Sequence, residues 1–192
     1  MPAPPATPSK ALQAWTATRL VNLAKLDAQC VWAAGLTLPD PAMLDEHLRA
    51  YVTLLSAHFQ GFCRDLYTES AGTVVARIKR VGLRAIVQAQ LTTGLELGRA
   101  NPTLDVLARD FDRFGITDLA HAIGVAPPAD AHKGRLKALN RCRNKCAHGE
   151  PVIPDLLLAN VRDWRGSCDW VAARLNAIVY DRLWAAYRAA PW

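Results

Sequence analysis

The seam Leu44, Leu48, Tyr51, Leu55, Phe59, Phe62 and Leu66 constrains this chain more than any other feature of its sequence. Its steps of four, three, four, four, three and four residues put seven large apolar side chains on one stripe of an α-helix, a spacing that no strand can gather onto one face. Asp40 and Pro41 stand before it, a carboxylate suited to capping a first turn and a proline whose fixed φ suits its start. The seam predicts a long helix that ends near Ser70 to Gly72. Such a stripe must be buried against other helices, so the rest of the chain is expected to supply them.

The remaining periodicities do so. Leu12, Trp15, Leu23, Leu26 and Cys30 share a narrow arc and predict an amphipathic helix from Ala11 to about Gly35. Arg19 interrupts that stripe, and its expected place has the stem on the core and the head in water. Thr73 to Leu97 mixes Val and Ile with Ala, Leu, Arg and Gln and reads as a further helix. Asn101 and Pro102 repeat the cap-plus-proline start ahead of Leu104, Leu107 and Phe111, Gly115 closes that short helix, and another runs from Thr117 to Gly124. Pro127 and Pro128 break the chain, and Asp130 caps a helix that carries Leu136 and Leu139 on to His148 and Gly149. After Pro151 and Pro154, Val161, Trp164, Cys168, Val171, Leu175 and Ile178 mark a long final helix that frays at Pro191. No strand alternation, glycine-rich phosphate loop or internal repeat interrupts the pattern. The expectation is an all-α bundle of long antiparallel helices plus short ones, one domain over residues 10 to 190, behind a Pro-rich tail at residues 1 to 9 with too little apolar surface to order itself.

Composition narrows the setting. Half of the 192 residues are apolar and 21% are charged, as in a globular domain with a real core. No run of 18 or more apolar residues lacks charges, so no membrane span is expected. The cysteines are five, an odd number, widely spread behind a Pro-rich start instead of a secretion leader, which suggests a reducing cytoplasm. A formal charge of +6 favours a polyanionic partner.

The chemistry concentrates in LNRCRNKCAHGEP, where three cations, one amide and one histidine fall between Arg141 and His148 as a helix nears its glycine stop. A basic last turn can simply complement the helix dipole. Cys142, Cys146 and His148 carry zinc-ligating atoms, but a fourth ligand is missing and the two thiols extend the apolar stripe of Leu136 and Leu139, so no metal is expected. No cysteine stands in a nucleophile setting.

Arg143-Asn144-Lys145-Cys146-Ala147-His148 resembles the Arg-polar-x-x-x-His signature of the HEPN superfamily, and AYVTLLSAHFQGFCRDLY resembles the aromatic first half of its RiboL-PSP-HEPN and related branches. The resemblance covers essentially the whole expected domain. It implies an endoribonuclease that needs neither metal nor cofactor, often a toxin or anti-phage defence component, with the motifs of two protomers meeting across a homodimer interface and a cognate antitoxin as a further partner. RNA brings its own nucleophile, the ribose 2′-hydroxyl, so a site must take that proton, steady the phosphate and protonate the leaving 5′-oxygen. His148 suits acid or base work near neutrality, Arg143 suits the transition-state charge, and Asn144 can orient His148 or donate to phosphate. Arg141, Lys145 and Lys137 are the expected RNA-backbone contacts. Here Cys142 separates Arg141 from Arg143 where relatives often carry Arg-Arg-Asn. On a regular helix Arg141, Asn144 and His148 share an arc of about 60° facing outward, with Arg143 at the edge of the buried side. Geometry thus favours Arg141 and the motif favours Arg143. The alternative function is a HEPN fold without catalysis, binding a nucleotide, an RNA or a toxin-antitoxin partner.

Overall fold

A computed structural model describes residues 8–36, 40–125, 128–151 and 156–192 of the chain. Most of the Pro-rich segment, residues 1–7, lies outside the described residues, as do Pro127 and Pro154. Among those described there is no strand, and the fold is all-helical. The helices are α1 (Lys10–Ala14), a π-turn (Trp15–Arg19), α2 (Leu20–Ala34), α3 (Pro41–Ala76), α4 (Val81–Thr92), a 3₁₀ turn (Glu96–Gly98), α5 (Leu104–Asp112), α6 (Leu119–Gly124), α7 (Ala129–Ala147) and α8 (Leu158–Tyr187).

The seam of α3 is the spine of the core. Leu48, Tyr51, Leu55, Phe59, Phe62 and Leu66 are all buried, and Trp15 closes on Phe59 and Phe62 with ring centroids 6.0 and 5.8 Å away. Burial of these large side chains, each worth roughly 1.5–3 kcal/mol, is the main force holding α3 to its neighbours. Asp40 caps α3 as expected, its carboxylate accepting from the backbone of Ala42 and Met43. Helix directions follow from the contacts between elements. Ser9 meets Asn176, Trp15 meets Asp169 and Asp27 meets Arg162, so the α1–α2 arm runs antiparallel to α8. His132 stacks on Trp170 while Arg135 pairs with Asp163, so α7 and α8 are antiparallel too.

Several local expectations change. Ser9, assigned to the tail, is buried and caps α1 by accepting from the Leu12 N–H. α3 does not stop at Gly72: Val75 is buried, and Thr73 and Arg77 donate to the carbonyls of Pro191 and Ala190, so the C-terminal segment carries the helix past its glycine. Thr73 to Leu97 is not one helix. It divides into the end of α3, a break at which Arg84 donates to the Ile78 carbonyl, α4, and a 3₁₀ turn whose Glu96 and Leu97 N–H groups are accepted by the buried carboxylate of Asp110. Thr103, not Asn101, caps α5 through the Val106 N–H, and α7 starts behind Pro128 with Asp130 in its first turn and not at its cap. Arg19 does not snorkel. It sits in the π-turn, donates to the His58 carbonyl at 2.8 Å and pairs with Asp65, lying over Gly61, where a Cβ would fall 2.7 Å from its Nη1. The fold there uses a glycine so that a cation can clasp α3. No helix among the described residues is long and apolar enough to cross a membrane.

Candidate functional site

α7 separates its residues by face. Leu136, Leu139 and Cys142 go into the core, while Lys137, Arg141, Asn144 and His148 are exposed. Those four share an arc of about 60° at 100° per residue and span about 16 Å of helix. Arg143 and Lys145 are half-buried on the flank. The structure therefore sets out the expected residues as the helical wheel does: Arg141 outward with Asn144 and His148, and Arg143 to the side.

Arg143 nevertheless reaches the same place. Its Nη1 donates to the Asn144 Oδ1 at 3.3 Å, and that oxygen also accepts from Asn101 Nδ2 at 2.9 Å. Both bonds use the amide oxygen, so the two N–H donors of Asn144 have no partner among the described residues and remain available to an anion. Asn144 does not hold the His148 ring, which was one of its two expected roles. The structure joins Asn144 to Arg143 and Asn101 instead.

His148 is the C-cap of α7, with φ −99° and ψ 5°, and its N–H donates to the carbonyls of Asn144 and Lys145. The next two residues complete the stop: Gly149 takes φ +67° and donates to the Cys146 carbonyl, and Glu150 donates to the Lys145 carbonyl. This double closure satisfies the last carbonyls and needs the left-handed conformation that glycine adopts without strain. Arg49 of α3, paired with Asp45, donates to the Glu150 carbonyl at 3.3 Å and ties the turn to the spine. The imidazole thus projects to solvent from a backbone fixed on both sides.

Asn101 and Arg49 are the neighbours that the sequence did not announce. They lie 43 and 101 residues from their partners, and no local pattern encodes such contacts. The loop bearing Asn101 is itself held by α3, where Gln60 Nε2 donates to the carbonyls of Leu97 and Ala100 at 3.0 and 2.9 Å.

The thiols beside the motif serve packing. Cys142 is buried in the core, and burial raises the Cys146 thiol above its ordinary range, so Cys146 is not poised as a thiolate. No disulfide joins the cysteines among the described residues, which also contain no group of three or more His, Cys, Asp or Glu side chains placed to share an ion. Two other histidines are structural in their surroundings. His58 is half-buried beside the seam, with burial and then the Arg19 charge lowering its pKa. His132 lies flat on Trp170 at 4.5 Å, with Nδ1 3.1 Å from the Ser167 hydroxyl, and burial followed by Arg135 lowers its pKa. Among the five histidines, His148 is the one that sits at the end of the cationic face. Comparison with known protein families, with characterised proteins and with solved structures finds no match to this chain.

Proposed function

We propose that the chain is a metal-independent endoribonuclease of HEPN type, acting as a toxin or an anti-phage defence component. One observation carries the reading: His148 stands exposed at a rigid helix stop, on the same face as Lys137, Arg141 and Asn144, with Arg143 drawn in to Asn144. A single-stranded RNA laid along this face meets cations for its phosphates and an imidazole for its ribose. His148 takes the 2′-hydroxyl proton, the 2′-oxygen attacks phosphorus, the bond to the 5′-oxygen breaks, and an acid returns a proton to that oxygen, leaving a 2′,3′-cyclic phosphate. Arg143 and the Asn144 N–H donors answer the charge that gathers on the phosphate.

One chain brings one such histidine, so the acid is assigned to the partner's His148 in a homodimer. Three large apolar side chains of α2, Val21, Val31 and Trp32, are 49, 48 and 60% exposed, and a second copy would cover them. A cognate antitoxin would mask the same cationic face.

The binding-module alternative draws on a different observation, that no described side chain orients the His148 ring. A 5′-labelled RNA incubated with the wild-type chain and with His148→Ala separates the two. Cleavage lost in the variant supports the nuclease, and binding without cleavage in both supports the module. Sedimentation is expected to show a dimer at assay concentration, and an active monomer would contradict the shared site.

A further inference from the structure

Most arginines of this chain are already engaged. Arg19, Arg49, Arg109, Arg135, Arg162 and Arg182 hold carboxylates, and Arg84, Arg113 and Arg174 donate to backbone carbonyls. Arg64 of α3 and Arg99, just after the 3₁₀ turn, are exceptions: both are exposed, and neither guanidinium has a partner among the described residues. They line one open groove of about 520 Å³ between α3, the end of α4 and the loop that follows it. No carboxylate lines this groove. The acidic residues nearest in sequence are spent elsewhere, Asp65 on Arg19 and Glu96 on Arg109.

The rest of the lining suits a sugar-phosphate strand. Thr68 and Thr92 donate their hydroxyl protons to the carbonyls of Arg64 and Gln88, which leaves their oxygen lone pairs as acceptors for ribose hydroxyls. Gly94 and Gly98 add no side chain to the groove wall, so a backbone can approach closely. The groove is also joined to the α7 motif. Arg99 precedes Asn101 by two residues, at most about 7 Å of chain, and Asn101 is bonded to Asn144. Gln60, one turn before Arg64 on α3, fixes the carbonyls on either side of Arg99.

We propose that Arg64 and Arg99 form a phosphodiester-binding subsite, separate from the cleaving motif, that takes the strand of single-stranded RNA leaving Asn144 across the Asn101 loop. The assignment rests on the ribonuclease reading for its direction, but it is a binding site in its own right. Its ligand is recognised by guanidinium pairs on successive phosphates and by acceptors for the 2′-hydroxyl.

The test is fluorescence-anisotropy titration of a labelled 12-nucleotide RNA against the full chain carrying His148→Ala, over a range of salt concentrations. Adding Arg64→Ala and Arg99→Ala together is expected to weaken binding about fivefold to tenfold and to make the salt dependence shallower by about 1.4, the share of two phosphate contacts on a single strand. Arg80→Ala with Arg188→Ala removes the same charge from exposed arginines outside the groove and is expected to leave the slope unchanged. Both residues of the groove pair are exposed, and circular dichroism reports whether the variant stays helical. In the cleaving background, the Arg64→Ala/Arg99→Ala pair should lower kcat/KM on the 12-mer and leave a dinucleotide untouched. An unchanged slope, an equal loss in the control pair, or competition by polyglutamate as strong as by RNA would overturn the subsite. RNA bound through Arg64 and Arg99 but never cut would retire the nuclease reading and keep the subsite, whereas cutting that ignores both arginines would do the reverse. A chain that neither binds nor cuts RNA overturns both.

Discussion

Arg162 and Arg143 belong to neighbouring helices and end in the same guanidinium, yet the fold treats them differently. Arg162 grips both oxygens of Asp27 at 2.8 and 2.7 Å, Arg165 stands behind it with Nη1 on the Tyr51 hydroxyl at 2.9 Å, and together they hold the Asp27 carboxyl below the usual range, the bond from Arg162 weighing most. That cluster engages both arginines through one shared carboxylate and a phenol hydroxyl, and it fastens α2 to α3 and α8. Arg143 meets an amide oxygen instead of a carboxylate, beside a histidine whose ring faces water. An amide positions a guanidinium without cancelling its charge, so the α7 end keeps its field for an outside anion. One cluster spends its cations on the fold, and the other leaves the Arg143 charge uncancelled.

The largest test of that contrast is a pair of alanine variants at the end of α7. Arg143→Ala is expected to cut the single-turnover cleavage rate about a hundredfold, the size of a lost transition-state donor. Arg141→Ala is expected mainly to weaken RNA binding and to flatten its salt dependence by about 0.7. The reverse result would mean that the exposed face of α7, and not the motif, selects the working arginine. Arg143→Ala should not shift the melting temperature by more than a degree or two.

At the Asp27 cluster the readouts exchange places. Asp27→Ala leaves Arg162 and Arg165 facing each other without their counterion, and urea unfolding should show a lower midpoint than the wild-type chain. RNA cleavage per folded molecule should be unchanged. Loss of cleavage without loss of stability would erase the distinction between the two clusters.

The smallest effect is on pH dependence. The folded pKa of His132 lies below its unfolded value of about 6.5, so the unfolded chain takes up the proton first as pH falls. The stability due to the neutral ring is complete above pH 6.5 and declines as pH drops toward the lowered folded value. Asp27 acts in the same direction at lower pH, its contribution present above about 3.8 and lost below as the carboxyl protonates. His132→Phe should keep the stack on Trp170 and reduce the first of these declines, the lowered His58 supplying the rest, while an unchanged profile would show that His132 has no part in it.

The same contrast explains what the sequence could tell. The seam of α3, the Asp40 cap and the division of α7 into faces follow from spacing along one helix, and each was legible. The persistence of α3 past Gly72 was not, because the contacts that carry it come from Pro191 and Ala190 more than 110 residues later. Arg19 was misplaced because only the three-dimensional meeting of Gly61, His58 and Asp65 gives it partners. At the site, the residues of the motif were legible as a cluster, whereas Asn101, Arg49 and the diversion of Asn144 away from the His148 ring depend on how α3, α7 and the loop before α5 meet.

The end of α7 is proposed to break RNA through the ribose hydroxyl with protein side chains alone. The most direct measurement incubates purified protein with a labelled single-stranded RNA in excess EDTA, beside the all-deoxy strand of the same sequence, and identifies the product ends by mass spectrometry. The expected result is cleavage of the RNA to 2′,3′-cyclic phosphate ends and an intact deoxy strand. Cleavage that appears only with added metal, or that cuts both strands alike, would contradict it.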